Sequence, residues 1–324
     1  MRPSCRHYKM NASQTCRLDS HYVGRFAPSP TGDLHFGSLV AATGSFLQAR
    51  SCGGDWIVRI EDLDPPREVA GAAERQVATL ASFELVSDVP VTRQSARRSA
   101  HDQIISGLVR RGRAFPCACS RRDLPDTGVY PGTCRQGVPV GRNGRSIRFA
   151  VDPEQVQFMD AVQGLITQVP AHQCGDFIIR RADGLVAYQL AVVVDDAAAG
   201  VTEVVRGADL IDSTGRQILL QRALGLPEPR YVHLPLIVDR QGRKLSKSDG
   251  ADPVQRYRPQ TALRLALRAL GHEPPGAAQG LDALWRWALR NWNLGQVPSG
   301  PIAVDVQGHA GRDYTPDDQQ PPST

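Results

Sequence analysis

The stretch Arg25-Phe26-Ala27-Pro28-Ser29-Pro30-Thr31-Gly32-Asp33-Leu34-His35-Phe36-Gly37-Ser38 decides how this chain is read. Tyr22 and Val23 lead in as a short apolar run, prolines and a glycine break it, and residues 39–47 follow with helical spacing. That order predicts strand, turn, helix. The prolines stiffen the turn and remove backbone donors, Gly32 and Gly37 let the backbone approach a ligand, and the helix N-terminus behind them presents N–H groups. Such a corner suits a phosphate. His35 can donate to phosphate oxygens, and Arg25 and Ser29 lie on the same loop to orient a carboxylate-bearing ligand. The ordinary alternative is a proline-rich connection with a capping Ser or Thr, a common kind of loop.

Around this corner the chain has 324 residues, 41% of them hydrophobic, enough for one large or two ordinary domains. No run of about 18 apolar residues occurs, and residues 1–22 carry Cys, His and Arg where a signal peptide needs an apolar centre. Neither export nor a membrane anchor is expected. Seven scattered cysteines do not suggest a disulfide framework, so a reducing cytoplasm is the expected setting. A net charge of +5 is only mildly basic, but nine arginines between Arg110 and Arg148 face only Asp123 and Asp126. That is a footprint for a nucleic acid, or else an ordinary solvated arginine surface.

Residues 1–20 read as a disordered extension, with Met10 as an alternative start. Residues 56–60, Trp-Ile-Val-Arg-Ile, read as a strand closed by Glu61-Asp62-Leu63-Asp64-Pro65-Pro66. Acids at the carboxyl end of a parallel strand stand where open α/β sheets place ligand groups, and Glu61 is the candidate for holding an ammonium. A loop with helix caps would look similar. Cys117, Cys119 and Cys134 put three thiols within 18 residues of a Gly- and Pro-rich segment, which argues for zinc with Tyr130 or a water as fourth ligand. Free cysteines are the alternative. Residues 176–180 and 185–194 read as strands, or a strand and an ensuing apolar segment, around the Asp183-Gly184 turn; 201–205 and 231–238 read as strands, and 213–223 as a helix. The alternation indicates a mostly parallel sheet with an insertion. Tyr188 and Arg206, each beside a strand end, are candidates to complete the pocket begun by Arg25 and Glu61, or are ordinary half-buried polar residues.

The chain has three lysines against 35 arginines, and two of the three lie in Lys244-Leu245-Ser246-Lys247-Ser248-Asp249-Gly250. A compact, mobile ammonium that follows a migrating phosphate is a task a planar guanidinium does badly. A flexible polar loop is the alternative. Residues 261–270 and 281–292 read as amphipathic helices, with Trp285, Leu289 and Trp292 on a core face, and residues 296–324 as a disordered tail.

Taken together, residues 26–37 resemble the HIGH element of class I aminoacyl-tRNA synthetases in its glutamyl form, and residues 244–248 resemble their KMSKS loop. Arg59-Ile60-Glu61-Asp62-Leu63-Asp64-Pro65-Pro66-Arg67 also resembles the glutamate enzymes, and the similarity runs from about Val23 to Trp292. The resemblance implies an α/β fold: a Rossmann-type catalytic domain over 21–249 with a zinc-binding insertion at about 110–150, and a small helical, stem-contact-like subdomain over 250–295. It implies activation of L-glutamate by ATP with Mg2+. In that scheme Arg25, Phe26, Ala27, Pro28 and Ser29 bind glutamate with Glu61, Tyr188 and Arg206, while His35, Gly37, Lys244 and Lys247 serve ATP. Ser38 stands where HIGH ends in histidine, so no phosphate role is carried over to it.

A full glutamyl enzyme carries a sizeable anticodon-binding region after its KMSKS loop, whereas about 75 residues follow Ser248 here. The shortened layout, with one structural zinc at Cys117, Cys119, Tyr130 and Cys134, resembles the bacterial paralogues that attach glutamate to the queuosine base of tRNA(Asp). Glutamate, ATP and queuosine-containing tRNA(Asp) are then the expected partners of a cytoplasmic monomer. A truncated enzyme charging a tRNA 3′ end is the alternative, with a small-molecule nucleotidyltransferase and a non-catalytic zinc RNA-binding protein as further classes.

Overall fold

The computed structural model describes residues 21–239, 241–243, 252–276, 278 and 280–304; the expected extension over 1–20, Lys244, Lys247 and residues 305–324 lie outside the described residues. Strand β1 (Val23–Phe26) enters the proline corner and leaves it as helix α1 (Phe36–Ser51). Then come β2 (Asp55–Ile60), α2 (Ala72–Ser82), the two-residue β3 (Thr92–Arg93) and α3 (Arg98–Arg110). An excursion follows through β4 (Ala114–Cys117), β5 (Ser146–Phe149), β6 (Val156–Asp160), β7 (Gly164–Gln168), the one-turn α4 (Pro170–Gln173) and β8 (Phe177–Arg180). The alternation resumes with α5 (Tyr188–Ala198), β9 (Glu203–Gly207), α6 (Ile211–Leu224), β10 (Arg230–Leu234) and β11 (Ile237–Val238). Helices α7 (Pro259–Ala269) and α8 (Leu281–Asn291) and strand β12 (Ile302–Ala303) complete the described chain.

Parallel pairing joins β1 to β2, β2 to β3 and β9 to β10. Thr202 N donates to Val23 O over 3.0 Å, and Val23 N to Thr202 Oγ1 over 3.0 Å, so β9 lies along the other side of β1. The strand order is therefore β3-β2-β1-β9-β10, a Rossmann-type arrangement whose direction of winding reverses between β1 and β9. Ligands of such sheets sit beyond the carboxyl ends of the strands at that reversal. The β6–β7 hairpin extends the sheet beside β10, while β4, β5 and β8 form a separate antiparallel sheet.

Burial explains the elements. Trp56, Val58 and Ile60 on one face of β2 and Ile57 and Arg59 on the other are buried, as expected of a strand covered on both faces. Helix α1 is sandwiched between the sheet and α7 and α8, and it crosses β10 so closely that a Cβ on Gly44 would stand 2.6 Å from Leu234 Cδ1. Trp285 and Trp292 are buried with their indole N–H groups satisfied, donating to Phe83 O at 2.8 Å and Gln48 Oε1 at 2.9 Å. No helix among the described residues is long and apolar enough to cross a membrane.

One alternative is resolved and one expectation changes. Of the two readings of residues 176–194, the one with a single strand and an ensuing apolar segment fits: beyond an antiparallel bridge of Val186 to Arg180 the run 185–194 forms no second strand, and from Tyr188 it is helix α5, buried at Leu190 to Val194 against α3, α6 and β8. A short β-branched run does not distinguish a buried strand from a buried helix, and tertiary burial overrides the local preference. The expected tail from residue 296 begins too early, because Ile302 and Ala303 pair in parallel with Ile237 and Val238.

Candidate active site and metal centre

The proline corner is held from behind by backbone and one amide. Glu61 N donates to Pro28 O at 2.9 Å and Val69 N to Pro30 O at 2.9 Å, which ties the corner to the exit of β2. The buried Gln76 of α2 gives its Nε2 to Ser29 O at 3.0 Å and Gly32 O at 2.6 Å. Gly32 sits at φ 133°, a backbone region that disfavours any side chain. At the start of α1, His35 Nδ1 accepts from Ser38 N at 3.3 Å. A nitrogen that accepts carries no proton, so the neutral ring holds its N–H on Nε2.

Arg25, Phe26, Ala27, Pro28, Ser29, His35, Gly37, Glu61, Tyr188 and Arg206 all line one open cleft of about 1070 Å³ at the β1–β9 reversal. Its charged wall is a network. Asp196 of α5 takes Arg25 Nε at 3.3 Å on both oxygens, and its Oδ1 lies 2.7 Å from Arg59 Nη1. Burial alone would push the Asp196 carboxyl up, but the two guanidiniums outweigh it and hold it below the usual range. Glu61 lies 3.4 Å from Arg59 Nη2, and burial pushes its carboxyl up despite Arg59 and Arg25. Arg59 and Asp196 were not among the expected site residues. A charged residue inside the apolar strand at 56–60, and paired acids closing the apolar run at 194, were the available signals.

Arg206, expected as a direct ligand, is engaged by the protein on every nitrogen. Its Nε donates to His233 Nε2 at 3.0 Å, Nη1 to Gln217 Oε1 at 2.8 Å and Tyr188 Oη at 3.4 Å, and Nη2 to Thr214 Oγ1 at 2.8 Å and Leu210 O at 3.3 Å. Lys244 and Lys247 lie outside the described residues, but the segment after them does not. Pro253 forms an antiparallel bridge to His35, and Val254 N donates to Leu34 O at 2.8 Å, so the chain re-enters beside the proline corner.

The three expected thiols converge between β4 and β5. Cys117, Cys119 and Cys134 present sulfurs all within 4.8 Å of one another, and Cys119 and Cys134 are 3.7 Å apart. Tyr130 Oη lies 3.4 Å from Cys117 Sγ and 4.0 Å from Cys119 Sγ. Zinc–sulfur bonds of about 2.3 Å in a tetrahedron set sulfurs about 3.8 Å apart, so the four donors fit such an ion. Burial would raise the Cys117 thiol, yet its hydrogen bond with Tyr130 and those it accepts from Cys119 N and Arg148 bring it down to about 7. Arg148 also lies over the Tyr130 ring at 3.8 Å. A Cβ on Gly175, at φ 65°, would stand 2.3 Å from Tyr130 O, so the tyrosine backbone needs glycine there.

The arginine cluster is smaller than its count suggested. Arg113, Arg135 and Arg142 pair with Asp152, Asp176 and Asp123, and Arg148 is buried at the thiols. Arg110, Arg111, Arg121, Arg122 and Arg145 remain exposed.

The family model for tRNA synthetases class I (E and Q), catalytic domain, matches residues 22–127 and 140–274. A Chromobacterium violaceum protein named glutamyl-Q tRNA(Asp) synthetase is 49% identical over 292 residues, covering 88% of this chain and 98% of its own. One of the same name from Xanthomonas axonopodis pv. citri is 58% identical over 253 residues, covering 78% of this chain and 84% of its own. The crystal structure of glutamate-tRNA synthetase from Elizabethkingia anophelis shares the fold with a TM-score of 0.74 at 24% identity, over 89% of this chain and 69% of that one. With a glutamyl-type corner at the sheet reversal, a cysteine-bearing insertion and relatives this similar over most of its length, the chain belongs to the class I tRNA synthetases, in the glutamyl-Q tRNA(Asp) synthetase family.

Proposed function

We propose that this ligase activates L-glutamate with ATP as glutamyl-adenylate, without tRNA, and then transfers glutamate to the queuosine base at the wobble position of tRNA(Asp). The observation that carries the reading is the single cleft joining two kinds of site. One end has guanidiniums and a carboxylate, suited to an amino acid with three charges; the other has the N-terminus of α1, suited to phosphates. Arg25 and Ser29 take substrate carboxylates, Glu61 takes the ammonium, and Tyr188, backed by Arg206, closes the pocket. The α-carboxylate attacks the α-phosphorus of ATP in line and pyrophosphate leaves. His35, through its Nε2 proton, and Lys247 stabilise the charge that moves onto the leaving phosphates, Gly37 lets the backbone approach ATP, and Lys244 serves the same step. Mg2+ accompanies the ATP.

One structural zinc bound by Cys117, Cys119, Tyr130 and Cys134 holds the insertion in shape. The exposed arginines around it then grip the phosphates of the anticodon arm, and helices α7 and α8 face the stem. The test is ATP–pyrophosphate exchange with glutamate and no tRNA, followed by transfer of labelled glutamate to queuosine-containing tRNA(Asp) whose 3′ end has been trimmed. Exchange and transfer should both persist. Transfer that disappears on trimming would assign the label to the 3′ end instead.

A further inference from the structure

The amino-acid end of the cleft has a hydrogen-bond polarity that can be traced back through buried groups. Asp160, at the end of β6, receives four N–H donors: Val162 N at 3.0 Å and Gln163 N at 2.8 Å on Oδ1, His233 N at 3.0 Å and His233 Nδ1 at 2.7 Å on Oδ2. Burial would raise the Asp160 carboxyl, but these bonds outweigh it and hold it below the usual range. An ionised carboxylate only accepts, so His233 Nδ1 carries a proton. On the other side of the ring, Nε2 lies 3.0 Å from Arg206 Nε. A guanidinium only donates, so Nε2 must accept, and the fully buried ring is neutral.

The same logic runs on to the cleft. Arg206 Nη1 donates to Tyr188 Oη at 3.4 Å, so that oxygen accepts from the guanidinium and turns its own O–H elsewhere. Burial pushes the Tyr188 phenol up, which keeps that proton in place. A phenol that donates into the cleft complements a carboxylate oxygen; the NH2 of a carboxamide brings a second donor and leaves the pair unsatisfied.

We propose that His233 is a positioning residue: as a neutral, Nδ1-protonated imidazole held by Asp160, it fixes Arg206 so that Tyr188 donates into the cleft, which selects glutamate over glutamine. This rests on the reading that the cleft takes glutamate. The groups facing His233 are Asp160 from β6, Arg206 from β9, Arg25 from β1, Thr214 from α6 and Tyr231 on its own strand, 6.2 Å ring to ring. Burial and the two guanidiniums hold the imidazole below its usual range, against Asp160. Protonating Nε2 would set N–H against N–H and free Arg206, so affinity for glutamate falls as pH falls through the lowered His233 value.

The test compares wild type, His233→Phe and His233→Gln, whose Oε1 supplies an acceptor near the place of Nε2 but does not titrate. In pyrophosphate exchange, His233→Phe should raise KM for glutamate about tenfold, leave KM for ATP and kcat nearly unchanged, and narrow the preference for glutamate over glutamine. His233→Gln should recover most of the affinity and lose the acid-side rise in KM that wild type shows. A folded His233→Phe with wild-type KM and preference would overturn the proposal, as would the same acid-side rise in His233→Gln. If His233→Phe does not fold, the pH profiles of the other two proteins decide. Nitrogen NMR of ring-labelled histidine in the wild-type protein tests the tautomer with no substrate present: a neutral, Nδ1-protonated His233 is expected, and an Nε2-protonated ring or an imidazolium near neutral pH sinks the idea. Wild type that fails exchange altogether removes the glutamate reading, while the NMR result still judges the relay.

Discussion

The cleft and the cysteine knuckle are both polar centres, yet they are held in opposite ways. In the cleft the buried charges are fixed by side chains from other elements: Asp196 between Arg25 and Arg59, Arg206 by His233, Gln217 and Thr214. Behind them lie two extended apolar cores. The knuckle has a core of only Phe115, Cys117, Tyr130 and Cys134, and its donors point at one another. A preorganised pocket costs nothing to assemble when its ligand arrives, whereas a cluster of thiols with so little apolar burial would take its shape from the ion proposed for it. The two regions should therefore fail separately.

The strongest way to break that separation is Asp196→Ala. It leaves Arg25 and Arg59 buried without their shared carboxylate, and a denaturant titration should show a loss of about 3–5 kcal/mol. A variant of wild-type stability would mean that Glu61 alone balances both guanidiniums. Next comes Lys247→Ala, which should lower pyrophosphate exchange about 100-fold or more while the melting curve stays in place. Near-normal exchange would remove the 244–250 stretch from the chemistry. Cys119→Ser sharpens the comparison most directly: metal analysis should find zinc lost and proteolysis should find the 117–134 segment opened, with tRNA-free exchange kept within about threefold. Exchange lost together with the metal would show that cleft and knuckle are one unit. The smallest effect belongs to Arg121→Ala combined with Arg122→Ala. Exchange should not change, tRNA binding should weaken, and the slope of log affinity against log salt should fall by about 1.5. An unchanged slope would move the tRNA contact to another face.

The two regions also differed in how far they could be read beforehand. The proline corner announced itself because prolines, glycines and a helix start are local, and the thiols because their spacing is short. Arg59 and Asp196 did not, since their pairing joins residues 137 apart that only the sheet brings together. Helix α5 was ambiguous for a related reason: Val192, Val193 and Val194 suit a strand locally and become helical because three elements bury them. His233 gave no signal at all. A histidine in a strand reads as core until its neighbours' donors and acceptors are known. The nine arginines misled in the other direction, because sequence counts charge but not which carboxylates come to meet it.

The pairing of Ile302 and Ala303 with Ile237 and Val238 has a consequence for behaviour on heating. It is a clasp of two residues on each side, closing about 60 residues of chain that include α7, α8 and the lysine-bearing stretch. Such a short tie opens locally long before a core that contains Trp56 and Leu47 gives way. Opening it bares one edge of β11, whose Ile237 stays buried in the larger core and lines the cleft. Gentle warming therefore frays β12 first, and cooling restores the clasp without any refolding of the sheet.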